Sequence, residues 1–263
     1  MPGTPEPFYT VQVEVERCIF DIRVNDAPIF DLRRALPVTV EIPANEMIRN
    51  GQNQISAHVR PIPGEKALAN DVKVNATIYL REKTQPRTAR REIARLEFPG
   101  VAPVQRQGDE TVVSTPFAAQ VPFPPFQWFT SPQIPGTEDT RTALIRQYEL
   151  IHARMAAADI DGVLRLTHER DLEFSQSYYL PLTEQVADSR RNLEMLVTSG
   201  DYTLSPLLAN KARLAVFAEG KLARLELSNA RSPLYFMAKA GGAAAYFGLV
   251  YCLDANGAWV AVR

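Results

Sequence analysis

The sequence predicts two folded units in one chain, an all-β sandwich followed by an α+β unit whose helices precede a curved antiparallel sheet. Three observations carry this reading. At 263 residues the chain exceeds the roughly 100–200 residues of one typical domain. Hydrophobic residues recur with period two from Phe8 to Phe98, then with helical spacing from Thr140 to Thr198, before period two returns at Tyr202. Between Thr115 and Gly136, prolines at 116, 122, 124, 125, 132 and 135 interrupt both patterns and deny that stretch helical or central-strand hydrogen bonding. The divisions that follow are 1–114 for the sandwich, 115–136 for a connector and 137–263 for the α+β unit.

In the first unit, Val11, Val13 and Val15 alternate with Gln12, Glu14 and Glu16, the pattern of a half-buried strand from Tyr9 to Glu16. Cys18 to Val24 meets Asn25-Asp26, residues that tolerate left-handed backbone, and leads into Ile29 to Leu32 as a hairpin. Pro37 to Pro43 reads as a strand and Ala44 to Arg49 as a short helical turn. Asn50-Gly51 then returns the chain into Gln54 to Arg60. Val72 to Glu82 and Glu92 to Phe98 complete six or seven short strands at the spacing of a sandwich.

The stretches "IRVNDAPI" and "MIRNGQNQISAHVRP" resemble segments of galactose-binding-like, jelly-roll β-sandwiches. That likeness implies that Gly51 adopts positive φ and that the Asn53 side chain holds the loop backbone. It implies little about a ligand, because the aromatic platform that stacks on a sugar is not evident on these loops.

The connector carries Phe117, Phe123, Phe126, Trp128 and Phe129. Leaving such side chains in water would cost about 1.5–3 kcal/mol each, so the segment is expected to pack as a strap rather than float as a spacer.

The second unit opens at Thr137-Glu-Asp-Thr140, an N-cap followed by acids in the first turn. Leu144, Ile145, Tyr148, Ile151 and Met155 give the first helix one buried face. Asp159 or Asp161 caps a second helix running through Val163, Leu164, Leu166 and Leu172, and a third spans Thr183 to Thr198 before Gly200. Strands are expected at Ala212–Glu219, Lys221–Ser228, Leu234–Lys239, Ala244–Asp254 and Ala258–Arg263, with turns at Glu219-Gly220 and Asn256-Gly257. In Lys221–Ser228 the alternation predicts one interior face and one solvated face.

The opening helix, "AADIDGVLRLTHERDLEF" and "VYCLDANGAWVAVR" resemble parts of the NTF2-like, or SnoaL-like, superfamily of cone-shaped α+β domains. Enzymes of that superfamily place an Asp or His base beside a Tyr or an acid inside the cone, so the likeness directs attention to His168, Asp171, Tyr178 and Tyr179. No motif ties any of them to a catalytic position, and no catalytic, cofactor-binding or metal-binding residue is assigned.

Composition narrows the function classes. A net charge of −1 supplies no global field for nucleic acid. The group Arg87, Arg90, Arg91 and Arg95 is offset by Glu92 and Glu97 and reads as a solvated edge. The longest apolar run, Ala243 to Leu253, falls short of the roughly 20 residues that span a bilayer. The opening residues lack the basic start and apolar stretch of an export signal, which gives the expectation of a cytoplasmic protein. Cys18 and Cys252 read as buried free thiols, and three histidines in no zinc-like spacing give no metal site. The expectation is therefore a noncatalytic binding protein with a protein partner, neither nucleic acid nor membrane, and scope for a homo-oligomer. A partner-neutralising, immunity-like role is its most concrete form. The alternatives are a small-molecule-binding or isomerase/hydratase-like enzyme using the cone, and carbohydrate binding by the sandwich.

Overall fold

The computed structural model describes residues 5–33, 36–100, 104–242 and 244–263. The expectations that rest on residues 1–4 and on Ala243 lie outside the described residues. The fold is mixed, with four helices and sixteen strands among the described residues, and every strand pair is antiparallel. The chain divides into two compact units, Met1–Pro125 and Phe126–Arg263.

The first unit contains β1 (Pro7–Glu16), β2 (Ile19–Val24), β3 (Ala27–Leu32), β4 (Val38–Pro43), β5 (Gly51–Arg60), β6 (Lys73–Glu82), β7 (Arg91–Phe98), β8 (Val104–Gln107) and β9 (Glu110–Ala119). They form two sheets, ordered β4-β1-β6-β7 and β3-β2-β5-β9-β8. Alternation decides which face of each is buried. Val11, Val13, Val15, Val74, Ala76 and Ile78 line the core side of the first sheet; Phe20, Ile22, Val24, Ile55, Ala57 and Val59 line that of the second. Asn25 and Asp26 take φ of 52° and 59° in the β2–β3 turn, the left-handed pair a two-residue hairpin requires.

The loop into β5 is built on asparagines. Gly51 has φ +90°. Asn53 Nδ2 donates to the carbonyls of Arg49 and Gly51 at 2.8 and 3.0 Å, and its Oδ1 accepts from Arg49 N and Asn25 Nδ2 at 3.0 and 2.8 Å. Asn45, wholly buried in a 3-10 turn, accepts from Tyr9 N and donates to Pro7 O. Five main-chain groups, Arg49 N–H and C=O, the Gly51 and Pro7 carbonyls and Tyr9 N–H, are thereby paired with side-chain amides.

Two expectations for this region need correction. The unit has nine strands rather than six or seven, because β8 and β9 form a further hairpin around Gly108, at φ +64°. Residues 115–119, assigned to the connector, complete β9 and pair with β5 as far as Gly51↔Ala119. Among the described residues β8 pairs with β9 as far as Val113, short of Pro116, where the missing N–H costs no bond to β8.

The second unit contains α1 (Glu138–Ala156), α2 (Ile160–Leu166), α3 (His168–Ser177) and α4 (Leu182–Val197). Strands β10 (Tyr202–Leu204), β11 (Arg213–Phe217), β12 (Leu222–Glu226), β13 (Tyr235–Ala238), β14 (Ala244–Tyr246), β15 (Tyr251–Leu253) and β16 (Trp259–Ala261) follow. Their sheets are ordered β10-β13-β14 and β11-β12-β15-β16. Thr137 caps α1 by accepting from Thr140 N, and Asp159, not Asp161, caps α2 by accepting from Gly162 N at 2.8 Å. The single second helix expected from sequence is two: Thr167 bonds its hydroxyl back to Val163 O and leaves helical geometry at φ −111°, ψ 14°. Such back-bonding bends helices.

The expected strand Ala244–Asp254 is also two, since β14 pairs with β13 whereas β15 pairs with β12 and β16. Strand β12 has no solvated face: Leu222 and Glu226 are buried as well as Ala223 and Leu225. It is central in its sheet, and Glu226 is held by Arg213 and Arg224.

The aromatic segment joins this unit from Phe126 onward. Trp128 and Phe129 stack at 3.8 Å in a 3-10 turn, with Trp128 only 2% exposed. Lys221 Nζ donates to Phe129 O at 2.7 Å and Ile134 N to Gly220 O at 2.6 Å.

Candidate functional site

The residues singled out for cone chemistry are not brought together. His168 is exposed at the start of α3. Asp171 is 2% exposed, and its Oδ1 accepts from Ser189 Oγ at 2.6 Å and from Gln185 Nε2 at 3.1 Å, both on α4. It serves as a helix–helix tie. Tyr178 is buried against Phe174, ring centroids 4.5 Å apart, and Tyr179 sits at φ +55°.

The space between α1 and the larger sheet is filled by Leu144, Tyr148, Ile151, Leu225, Leu249 and Tyr251. Tyr148 is fully buried; its hydroxyl donates to Leu249 O at 2.9 Å and accepts from Leu225 N at 3.3 Å. Burial raises its pKa well above the ordinary phenol range, which leaves it a fixed neutral hydrogen-bonding group. Along β13 and β14, Phe236 enters the core, whereas Met237 and Tyr246 are exposed.

The feature that is open to a ligand runs along the flank of α1. Three shallow hollows succeed one another between α1 and the segment 202–216. The first, 540 Å3, is lined by Thr137, Glu138, Arg141, Lys211, Arg213 and Leu214 among others. The second, 500 Å3, is lined by Arg141, Ile145, Glu149, His152, Leu207 and Asn210 among others. The third, 550 Å3, has His152, Ala156, Tyr202, Leu204, Ser205 and Lys239 in its wall. Arg141 and Asn210 border both the first and second, and His152 borders both the second and third, so the hollows follow one another as an α1 groove that the Arg141 and His152 side chains cross where neighbouring hollows meet.

Its helix wall follows from spacing. Leu144, Tyr148, Ile151 and Met155 take the core face of α1, which puts residues 141, 145, 149, 152 and 156 on the adjacent stripe. Its second wall is held by two clamps. Arg141 donates to the carbonyls of Ala212, Ala209 and Asn210 at 3.0, 3.2 and 3.3 Å, and His152 Nε2 lies 3.0 Å from Ser205 O. Ile145, Leu204, Leu207, Leu214 and Val216 are half-buried and pack on the core beneath, giving the groove an apolar floor.

No family model, curated protein or solved structure matches this chain. The groove is therefore judged on its own chemistry. It holds cations, carboxylates and an apolar floor that suit contact with another chain. Among the described residues no group of three or more His, Cys, Asp or Glu side chains is arranged to hold a metal ion, and no helix is long and apolar enough to cross a membrane.

The first unit presents a hollow of 940 Å3 lined by Pro7, Tyr9, Leu80, Glu82, Arg91 and Val121 among others. Tyr9, its only aromatic residue, is 2% exposed, with its hydroxyl bonded to both the carbonyl and the N–H of Gln120. No ring there offers a stacking face.

Three of the four grouped arginines are tied to acids. Arg87 and Arg90 pair with Glu41, Arg90 also lies over the Tyr79 ring, and Arg95 pairs with Glu92 and Glu97. A further charged cluster joins β5 to β9: His58 Nδ1 lies 3.1 Å, and Arg60 Nη2 2.5 Å, from the Glu110 carboxylate. His58 and then Arg60 outweigh the opposing effect of burial and hold Glu110 down to about 2. Cys18 and Cys252 are free and buried, and burial pushes their thiols up to about 12 and about 11, far from reactive thiolate.

No sequence motif marks the groove. The stripe 141, 145, 149, 152 and 156 was available as the neighbour of the core face, but its opposing wall lies more than fifty residues away and is positioned by hydrogen bonds to main-chain carbonyls. Backbone acceptors carry no sequence signal.

Proposed function

We propose that this chain is a noncatalytic protein-binding module, a galactose-binding-like β-sandwich followed by an NTF2-like α+β unit, and that the second unit docks a protein partner in the α1 groove. The observation that carries the reading is the groove itself: three neighbouring hollows with an apolar floor and a second wall pinned by Arg141 and His152. A preformed wall lowers the ordering cost of association. The filled interior around Tyr148 favours this over chemistry inside a cone. A partner-neutralising role, as of an immunity protein towards its toxin, is the concrete form of the proposal.

Affinity capture from the source organism tests it, with the full chain and its Glu149→Trp variant as baits. Glu149 is exposed in the middle hollow, so the indole blocks the groove without disturbing the core. A protein recovered by the unaltered chain and lost by the variant is the expected result. Equal recovery by both, or recovery of small metabolites alone, would overturn the proposal.

A further inference from the structure

We infer that the aromatic strap, residues 126–134, is a latch that releases from the rest of the second unit without global unfolding, uncovering Cys252 and the Glu173–Arg263 ion pair. The strap's attachment points to this. Its regular structure is one 3-10 turn, Gln127–Phe129, and prolines at 125, 132 and 135 keep it out of helices and sheet ladders. Three polar tethers converge on one place, the turn between β11 and β12. Ile134 N donates to Gly220 O at 2.6 Å, Lys221 Nζ to Phe129 O at 2.7 Å and Gln133 Nε2 to Glu219 O at 3.3 Å. Parting the strap from that single turn breaks all three.

The closed strap also holds several groups in costly states. Trp128 is buried, and its Nε1–H meets no acceptor among the described residues; a buried donor without a partner carries its full desolvation cost. Beside it the Arg263 guanidinium lies 5.5 Å from the Trp128 ring and 3.9 Å from the Glu173 carboxylate. These are two charges taken largely out of water, a costly burial even when paired. In the turn that receives the tethers, Ala218 and Glu219 both have φ 55°, left-handed backbone that residues with a Cβ adopt at a cost. Release returns water to the indole and the charges and freedom to the turn, which offsets part of the apolar contact that is lost.

Cys252 reports on release. It is wholly buried, and its thiol is hydrogen-bonded to Ser131 of the strap. Alkylation of the full chain by N-ethylmaleimide across a urea series, read by peptide mass at Cys252, provides the test. On the unaltered chain the Cys252 rate should be nearly flat below the unfolding transition, with at most about a fifth of the urea dependence of global unfolding, because release exposes little surface. Lys221→Met removes one tether and should raise the flat rate about fivefold. Asp159→Ala removes the α2 cap and should shift the steep unfolding limb while leaving the flat rate unchanged.

A Cys252 rate as steep in urea as global unfolding from the outset, or no alkylation before the transition, would overturn the inference. A flat rate that Lys221→Met leaves unchanged would place the opening outside the strap and overturn it too. So would a flat rate raised equally by Lys221→Met and Asp159→Ala, since the opening would then extend beyond the strap.

Discussion

The hydroxyl of Tyr148 on α1 donates to the carbonyl of Leu249, 101 residues away, at 2.9 Å, and accepts the Leu225 N–H of β12 at 3.3 Å. One buried phenol thus joins the helix that forms the groove wall to two parts of the sheet region beneath it. Tyr148→Phe preserves shape and leaves both main-chain groups without that partner. It should lower stability by about 1–3 kcal/mol, read as a reduced urea midpoint with unchanged slope. An unaltered midpoint would show the bond to be dispensable.

Asp171 is one of the residues, with His168, to which the NTF2-like resemblance directs attention, and the structure makes it a tie between α3 and α4. Asp171→Ala removes the acceptor for Ser189 and Gln185. The expected result is a loss of about 1–3 kcal/mol, with capture of the proposed partner retained. A variant of unchanged stability that had lost capture would contradict the structural role.

Glu110 makes stability depend on acid. Its ordinary pKa of 4.5 falls to about 2 in the folded state, so its contribution is fully present above about 4.5 and is lost as pH falls through about 2. Glu110→Gln should be less stable than the unaltered chain at pH 7, and the difference should shrink between pH 4.5 and 2. Chemical denaturation at a series of pH values reads this directly; a difference independent of pH would refute the ion-pair account.

The β5 loop depends on a single amide. Asn53→Ala removes four hydrogen bonds, to Arg49, Gly51 and Asn25, while Asn25 Nδ2 keeps its bond to Met47 O, and should cost about 2–3 kcal/mol. Thermal unfolding with a midpoint within a degree of the unaltered chain would count against it.

Where one residue's chemistry determines its local conformation, the fold was legible in the sequence. The Asn25-Asp26 turn, the Thr137 cap and the positive φ of Gly51 and Gly200 follow from residue type alone. What was missed depended on neighbours distant in sequence. Pro116 argued against a strand, yet β9 accommodates it beyond the β8 pairing found among the described residues. Leu249 sits in an apolar run that reads as one strand, whereas its carbonyl is engaged by Tyr148 and the run changes sheets around it. Glu226 alternates as a solvated residue but is buried between two arginines. The groove belongs to the same class: its helix stripe is periodic, and its second wall is set by carbonyls.

The central claim is that a partner protein occupies the α1 groove, and site-directed photocrosslinking in the source organism tests it most directly. A benzophenone side chain replaces Glu149 in the middle hollow or, as a control, the exposed Glu97 of β7. The account predicts a discrete adduct with one protein from position 149 and none from position 97. Adducts from position 97 alone, or the same adducts from both, would contradict it.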